Sequence, residues 1–462
     1  MVFSSLTFLL YFLPAVLLCY FLARSLKAKN GVLLTFSLVF YAWGRPVWLL
    51  GLLFSTLVNY FCAIKLAPVK GRARKLWLLA GLTVSLGLLF VFKYLAFFTN
   101  TFLGVFGVEM APLELPIGIS FYTFQVLTYT IDVYRGRQTL QTNFPRLLLY
   151  VSCFPQLIAG PIVQYSDVAK EINKRTTRPR DFSEGFTRFC VGLGKKALVA
   201  NLCAEIIDKL PQAPEGALSF GGAWYFALIY ALQIYFDFSG YSDMAIGMGR
   251  IFGFHYKENF NYPYWAESVR DFWRRWHISL GSFFREYVYI PLGGNRKGLK
   301  RTVINTLIVW GLTGMWHGAN LTFIAWGLYY GLILTLGLLL KDRFRLPGLV
   351  SRPLTFLAVL IGWVMFYYPS LPQAVSHIGA MVGLNGPLMD SASLIVIKQY
   401  SFLPALFLLM SLPVTNLLKK AEEKLPEVLT QPVRSLGAAA ILALSLIFIV
   451  GLSSNPFIYF QF

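Results

Sequence analysis

Long apolar runs that carry almost no charge recur along the chain and restrict its fold more than any other feature. Two of them flank the stretch GMWHGAN (314–320), with TVINTLIVWGLT upstream and LTFIAWGLYYGLILTLGLLL downstream. Runs of roughly 18–25 apolar residues have the length that a helix needs to cross a bilayer. Charged residues make up only 13% of the chain, about half of their usual share in a soluble domain. The sequence therefore predicts an all-α polytopic membrane protein.

The apolar runs and the basic loops between them predict about twelve transmembrane helices. These fall near 4–23, 31–44, 46–64, 76–98, 115–133, 186–208, 222–248, 303–316, 319–340, 353–368, 401–418 and 436–452. Lys and Arg concentrate in short loops such as 65–75 and 170–180, as the positive-inside rule requires of cytoplasmic loops. We therefore expect a multi-pass protein of the inner or plasma membrane, surrounded by membrane lipid. Topology explains the net charge of +20, and no nucleic-acid partner is expected.

Two stretches do not read as spans. The first, 138–165, is apolar but is broken by Pro145, Pro155 and Pro161, and the second, 250–301, carries ten basic against four acidic residues. Irregular backbone at membrane depth persists only where protein or a water-filled cavity surrounds it. We therefore expect re-entrant and interfacial helices around a central cavity.

The five cysteines are scattered singly through apolar segments. No CxxC pair occurs, and no cysteine lies near a histidine at the spacing of metal ligands. Neither a zinc site nor a disulfide framework is indicated, and we expect no bound metal.

A basic stripe is predicted in the segment 267–298, where the periodicity is helical. Arg270, Arg274, His277 and Arg285 recur at spacings of four, three and eight residues, and bulky apolar residues occupy much of the remaining surface. One interpretation is an amphipathic helix that anchors the chain to anionic lipid. The other is an entry from the cytoplasm for a phosphate-bearing substrate, since the arginine fork donates two hydrogen bonds to phosphate.

Two carboxylates, Asp237 and Asp243, lie at or near the end of a predicted span. Acidic side chains at such depth are costly and indicate function by default, here substrate or donor binding. The alternative is a structural ion pair with Arg250 or another arginine.

His317 stands between two uncharged apolar runs. An apolar setting disfavours the imidazolium ion, so a neutral ring could act as a base, although a lone histidine in a span is more often a packing residue. The flanking Gly314 and Gly318 allow close approach of a ligand, and Trp316 adjoins the histidine. Asn320 could share its helical face as a hydrogen-bond partner.

Several stretches together resemble the membrane-bound O-acyltransferase family, and most of all the branch of the alginate O-acetylation membrane proteins. The central match is DFWRRWHISLGSFFREYVYIPLGGNR, followed after one span by GMWHGAN. Further matches are PIGISFYTFQ (116–125), FPQLIAGPIVQY (154–165), YFDFSGYSDMAIG (235–247), ENFNYPY (258–264) and NPFIYFQF (455–462). The resemblance implies one membrane-embedded domain over 1–462, with N-terminal spans at 1–114, a family core at 115–320 and C-terminal spans at 321–462.

The resemblance further implies an enzyme that moves an acyl group, here expected to be acetyl, from a cytoplasmic thioester to a hydroxyl of an extracellular polysaccharide. The two histidines of the family correspond to His317, taken as the catalytic base, and His277. We expect acetyl-CoA as a donor substrate, no bound cofactor, and transfer either directly or through an exported partner protein. Two alternatives stay open, namely D-alanyl transfer to teichoic acid from a carrier protein, and a transporter or channel gated by the histidine.

Overall fold

The computed structural model describes residues 1–158, 160–212, 218–340, 346–384, 386–414, 426–451 and 457. Within these ranges the chain forms α-helices with short π-helical and 3-10 segments, and no β-strand. The all-α class predicted from the sequence is thus confirmed.

The α-helices are numbered along the chain. Those of the first half are α1 (Leu13–Leu22), α2 (Leu26–Ala42), α3 (Val47–Leu66), α4 (Gly71–Leu89), α5 (Leu95–Phe98), α6 (Ile119–Arg135), α7 (Phe144–Ser152), α8 (Phe154–Leu157), α9 (Tyr165–Asn173), α10 (Pro179–Gly194) and α11 (Asn201–Lys209). Those of the second half are α12 (Phe220–Ile251), α13 (Val269–Arg275), α14 (Ile278–Phe284), α15 (Gly298–His317), α16 (Leu321–Leu339), α17 (Gly348–Tyr367), α18 (Leu371–Met381), α19 (Ser391–Gln399), α20 (Leu403–Ser411) and α21 (Glu427–Gly451).

Fewer helices than predicted meet the length and apolarity of a membrane span. Among the described residues five do so, namely Val47–Leu66, Gly71–Leu103, Leu321–Leu339, Gly348–Tyr367 and Thr430–Gly451. The pair α19 and α20, bent by 65°, makes a sixth if it counts as one span. The number of twelve is therefore not confirmed, because several predicted spans are shorter or broken. Residues 415–418 of one predicted span lie outside the described residues.

The chain folds into two compact units. Unit 1 consists of Met1–Leu193, Tyr241–Lys257 and the helical residues from 441 onward, and unit 2 consists of Gly194–Gly240 and Glu258–Ala440. The division between them falls within the long helix α12. The expectation of one domain with three consecutive parts stays a prediction.

In unit 1 a buried asparagine ties three helices together. Asn59 of α3 donates through Nδ2 to Ser85 Oγ of α4 at 2.7 Å and accepts at Oδ1 from Thr130 Oγ1 of α6 at 2.8 Å. Buried polar groups cost free energy unless they are hydrogen-bonded, and here each satisfies another. Three otherwise apolar helices thereby acquire a defined register.

The proline-broken stretch of unit 1 is interrupted as predicted. Helix α7 ends at Ser152, Cys153 leaves the helical conformation with ψ 112°, and α8 begins immediately with Phe154 and Pro155. Because the proline ring disfavours a helical conformation in the preceding residues and removes a donor, the break follows from the sequence. Its position relative to the membrane stays a prediction.

Unit 2 is organised by the antiparallel pair α15 and α16. The two helices cross at Gly314 and Gly327, where a side-chain carbon added to Gly327 would lie 3.1 Å from the Gly314 Cα. Helix α16 packs in turn against α17, and α13 contacts both α16 and α17. This close crossing brings the C-terminal end of α15, which carries His317, into an aromatic core.

Candidate active site

His317 is the last residue of α15. The next residue, Gly318, is extended at φ −167° and ψ 154°, so the helix ends there. Asn320 then caps α16, since its Oδ1 accepts from the Thr322 N–H at 3.2 Å, and its Nδ2 donates to the Pro369 carbonyl. The prediction that Asn320 shares a helical face with His317 is therefore wrong. An asparagine before an apolar run is a helix-start signal that accounts for this position.

The His317 ring is held among aromatic side chains. Its side chain is buried, and its ring centroid lies 4.9 Å from that of Trp316, 5.1 Å from that of Trp326 and 5.1 Å from that of Phe366. The last two rings meet it nearly perpendicularly, at 85° and 82°. Aromatic walls of this kind fix the plane of the imidazole while keeping bulk water away from it.

His277 occupies a break between two short helices. Helix α13 ends at Arg275, Trp276 is extended, and His277 has φ 46° and ψ 53°, in the left-handed region, before α14 begins. The predicted uninterrupted helical stripe from Arg270 to Arg285 is therefore wrong. The left-handed conformation costs a residue with a side chain roughly 1–2 kcal/mol, so tertiary contacts must maintain it.

Those contacts come from the segment that contains Asn259. The Asn259 carbonyl accepts from the Ile278 N–H at 3.0 Å, and the Asn261 N–H donates to the Arg275 carbonyl at 2.9 Å. The Asn259 Oδ1 accepts from the Ser279 N–H at 3.1 Å and lies 3.3 Å from His277 Nδ1. Asn259 was not predicted from the sequence, although its stretch ENFNYPY was noted for its resemblance.

The His277 ring is fully enclosed and adjoins the His317 pocket through a shared neighbour. It meets Phe238 edge to face at 4.7 Å, and its centroid lies 6.0 Å from that of Trp316, which also contacts His317. Burial lowers the pKa of the His277 imidazole to about 3, so this ring is neutral at physiological pH. The structure thus brings His277, Trp316 and His317 together.

A cavity of about 330 Å³ begins at His277 and runs between α13–α14 and the pair α15–α16. Arg270 and Arg285 line it together with His277, whereas Arg274 is exposed and is not among the lining residues. The remaining wall is mainly aromatic and aliphatic, formed by Trp273, Trp276, Leu280, Gly281, Phe284, Tyr289, Thr306, Val309, Trp310, Thr313, Leu334 and Leu338. Such a lining suits a mainly apolar ligand that carries an anionic group.

The two predicted carboxylates are engaged in ion pairs within separate units. In unit 2, Asp237 Oδ1 lies 2.6 Å from Lys196 Nζ. In unit 1, Asp243 Oδ1 lies 2.8 Å from Arg188 Nη2, whereas Arg250 pairs with Glu184. The alternative to a role in binding was an ion pair with Arg250 or another arginine. Asp243 forms such a pair with Arg188, whereas the partner of Asp237 is a lysine. A role for either carboxylate in substrate binding stays a prediction.

Within the described ranges no group of three or more His, Cys, Asp or Glu side chains is placed to hold a metal ion. The five cysteines are free thiols, and burial raises the pKa of the Cys153 thiol to about 11. The stretch NPFIYFQF lies outside the described residues except for Phe457.

The amino-acid sequence is similar to those of several known proteins and matches one family model. A family model described as MBOAT, the membrane-bound O-acyltransferase family, matches residues 6–372. The probable alginate O-acetylase AlgI of Pseudomonas putida is 43% identical over 395 residues, which cover 82% of this chain and 80% of that protein. The peptidoglycan O-acetyltransferase of Helicobacter pylori is 38% identical over 428 residues, covering 84% and 80%. The teichoic acid D-alanyltransferase of Bacillus subtilis is 29% identical over 231 residues, covering 47% and 58%.

The matched residues 6–372 include both histidines, the cavity and the aromatic core around His317. This match extends over most of the chain, and the two O-acetylating relatives are similar over more than four fifths of it. The apolar helices agree with a multi-pass membrane protein. The chain therefore belongs to the membrane-bound O-acyltransferase family and is an O-acyltransferase.

Proposed function

We propose that this protein transfers an acetyl group from a cytoplasmic thioester, acetyl-CoA, to a hydroxyl of an extracellular polysaccharide. The single observation that carries the proposal is a cavity lined by the buried His277, whose ring neighbour Trp316 also contacts the buried His317. Support for acetyl as the group comes from the relatives of high coverage, which are named for O-acetylation of alginate and of peptidoglycan.

The donor occupies the cavity with its acyl thioester toward His277. A pantetheine-like arm is long, thin and only weakly polar, which matches a space of about 330 Å³ with mainly apolar walls. Arg270 and Arg285 supply the positive charge that a phosphate-bearing donor needs, since guanidinium groups bind phosphate through paired hydrogen bonds. No cofactor stays bound in this scheme, because the thioester is consumed as a substrate.

His317 acts as the general base. It accepts the proton of the acceptor hydroxyl while the oxygen attacks the thioester carbonyl carbon, the C–S bond breaks, and the leaving thiolate takes the proton to become a thiol. General-base assistance of this kind contributes about 10²–10⁴-fold to a rate. The aromatic walls around His317 support this role, because they hold the ring in one orientation and exclude competing water. His277 positions the donor.

The cellular location of the enzyme follows from where its two substrates are found. The donor is made in the cytoplasm, and the acceptor lies outside, so we place the enzyme in the inner or plasma membrane with membrane lipid around it. Acetyl transfer reaches the polysaccharide either directly or through an exported partner protein. Trp316, Asn320 and Asp237 contribute to substrate binding by their positions in unit 2.

Mass spectrometry of surface polysaccharides tests the function. Cells that lack the protein, cells that express it and cells that express His317→Ala are compared at matched protein abundance. Acetyl esters are expected only with the wild-type protein. Alanyl esters in their place would favour D-alanyl transfer, the activity for which the more distant relative of Bacillus subtilis is named. An ester content that does not depend on the protein would contradict the proposal.

A further inference from the structure

The orientation of the Asn259 side-chain amide is determined by its neighbours. Asn259 is buried, and its Oδ1 receives two hydrogen bonds from Ser279, one from the backbone N–H at 3.1 Å and one from the hydroxyl at 2.9 Å. A backbone N–H can only donate, so the atom that faces it must be the amide oxygen and not the amide nitrogen. The backbone N–H of Ser279 thereby determines which side of the amide carries the oxygen.

This oxygen also determines where the proton of His277 resides. His277 Nδ1 lies 3.3 Å from Asn259 Oδ1, and an oxygen that only accepts favours a protonated Nδ1. A neutral imidazole carries one proton, so the lone pair is then on Nε2. The Ser279 hydroxyl, 3.5 Å from Nδ1, does not compete for that nitrogen's lone pair because it already donates to Asn259.

The same asparagine holds the backbone that presents the ring. Its carbonyl accepts from the Ile278 N–H, next to the left-handed His277, and its side chain caps the start of α14 at Ser279. His277 itself makes no side-chain capping bond, so Asn259 supplies the cap from outside the helix. One residue therefore fixes the position, the orientation and the protonated nitrogen of the ring.

We propose that Asn259 is a positioning residue that holds His277, a lining residue of the cavity, as the Nδ1–H tautomer with Nε2 as the basic nitrogen. The proposal rests on the proposed function in one respect, since it gives His277 a part in acyl transfer. In acyl transfer, Nε2 accepts a hydrogen bond from the acyl-donor substrate and so aligns its thioester. The opposite tautomer would have an N–H at Nε2, which donates a hydrogen bond and cannot accept one. A correct tautomer is a recurring requirement for catalytic histidines, and an amide or carboxylate neighbour usually supplies it.

The tautomer can be read directly, because the chain has only four histidines. Protein labelled with ¹⁵N-histidine is reconstituted in lipid, and the His277 signals are assigned from their loss in His277→Gln. The wild-type protein and Asn259→Asp, which keeps an acceptor oxygen, are expected to show a protonated Nδ1. Asn259→Ala is expected to show a mixture of tautomers. A wild-type His277 protonated on Nε2 alone would overturn the proposal, whatever the activity.

Activity provides the second reading. Asn259→Ala should lower kcat/KM for the acetyl donor about tenfold or more, because misplacing a group that positions a substrate can cost up to about 10²-fold in rate. Asn261→Ala is the matched control, since Asn261 contacts Arg275 through its backbone and should stay within about twofold of wild type. Equal losses in the two variants, or full activity in a folded Asn259→Ala, would contradict a positioning role. Should Asn259→Ala fail to fold, the wild-type tautomer still decides. Loss of the proposed function itself would appear as a correct tautomer in a protein that acetylates nothing.

Discussion

Lys196 Nζ lies 2.6 Å from Asp237 Oδ1, and the two side chains are only 5% and 2% exposed. Lys196 is in the π-helical turn Lys195–Ala200 and Asp237 is in α12, so the pair joins two elements that are distant in sequence. Two charges removed from water in this way are costly unless an opposite charge lies close by. The ion pair therefore constrains how these two elements pack within unit 2.

Removing one partner should destabilise the protein severely. Asp237→Ala leaves the Lys196 ammonium buried without its counter-charge, and we expect a loss of about 3–5 kcal/mol. The double variant Lys196→Met/Asp237→Leu removes both charges and should recover much of the loss. Thermal unfolding in detergent and abundance in membranes measure both. Glu114→Ala, which breaks the exposed pair with Arg45, is the control and should change stability by less than about 1 kcal/mol. An Asp237→Ala protein as stable as this control would show that the buried pair is dispensable.

Donor binding should distinguish three arginines that the sequence grouped together. Arg270 and Arg285 line the cavity and Arg274 does not. Arg270→Gln and Arg285→Gln should each raise the KM for acetyl-CoA by about tenfold or more, because a hydrogen bond to a charged group contributes roughly 1.5–3 kcal/mol. Arg274→Gln should leave the KM unchanged. Initial rates in proteoliposomes at several donor concentrations test the ranking, and a larger effect at Arg274 would return that residue to the donor site.

The histidines should rank by their surroundings. His317→Ala should abolish nearly all acetyl transfer, by about 10²-fold or more, while the protein still accumulates in the membrane. His277→Gln keeps a hydrogen-bonding side chain and should retain measurable activity. The control is His255→Ala, since His255 is exposed and pairs with Glu171 at 2.7 Å in unit 1. Near wild-type turnover by a well-expressed His317→Ala protein would exclude His317 as the base.

The sequence predicts the helical membrane class and the apolar surroundings of His317, since both depend on local composition. It does not predict the left-handed turn at His277, because an unbroken helical period runs through Arg270, Arg274 and His277. The turn is maintained by Asn259, whose contact with it is a property of the tertiary structure. Local patterning alone cannot reveal a contact of this kind.

The charged residues show the same limit. Asp237 and Asp243 are recognisable from the sequence as carboxylates at or near the end of a span, but their partners Lys196 and Arg188 are 41 and 55 positions away. Asn320 is the opposite case, because its role could be read from the sequence. An asparagine directly before an apolar run indicates the start of a helix, whereas its nearness to His317 suggested a hydrogen bond to the histidine. Its capping bond to the Thr322 N–H follows from local rules alone.

Lowering the pH should destabilise the fold, because the buried imidazole of His377 resists protonation. Its Nδ1 lies 2.9 Å from the Tyr368 hydroxyl and its Nε2 lies 3.1 Å from the Ala223 carbonyl. Burial lowers the pKa of this imidazole to about 4, so between about pH 4 and 6.5 the unfolded chain binds more protons than the folded one. Stability should therefore fall as the pH is lowered through this window. In His377→Gln, the difference in melting temperature between pH 7.5 and pH 5 should shrink, and an unchanged difference would assign the effect to other groups.

The crossing of α15 and α16 should tolerate no side chain at Gly314. A Cβ there would overlap the Phe323 carbonyl and lie 3.3 Å from the Gly327 Cα, both backbone atoms that cannot move aside independently. We expect Gly314→Ala to separate the two helices, to cost about 1–3 kcal/mol, and to lower acetyl transfer because His317 lies three residues further along the same helix.

Gly311→Ala is the matched control, on the same helix one turn earlier, where an added Cβ meets nothing within 4 Å. Because alanine favours a helix over glycine by about 1 kcal/mol, this variant should be as stable as the wild type or more so. Melting temperature and turnover, measured for both variants in the same lipid, test this prediction, and both should fall in Gly314→Ala only. Equal behaviour of the two would mean that the helices adapt to the added carbon without disturbing the histidine.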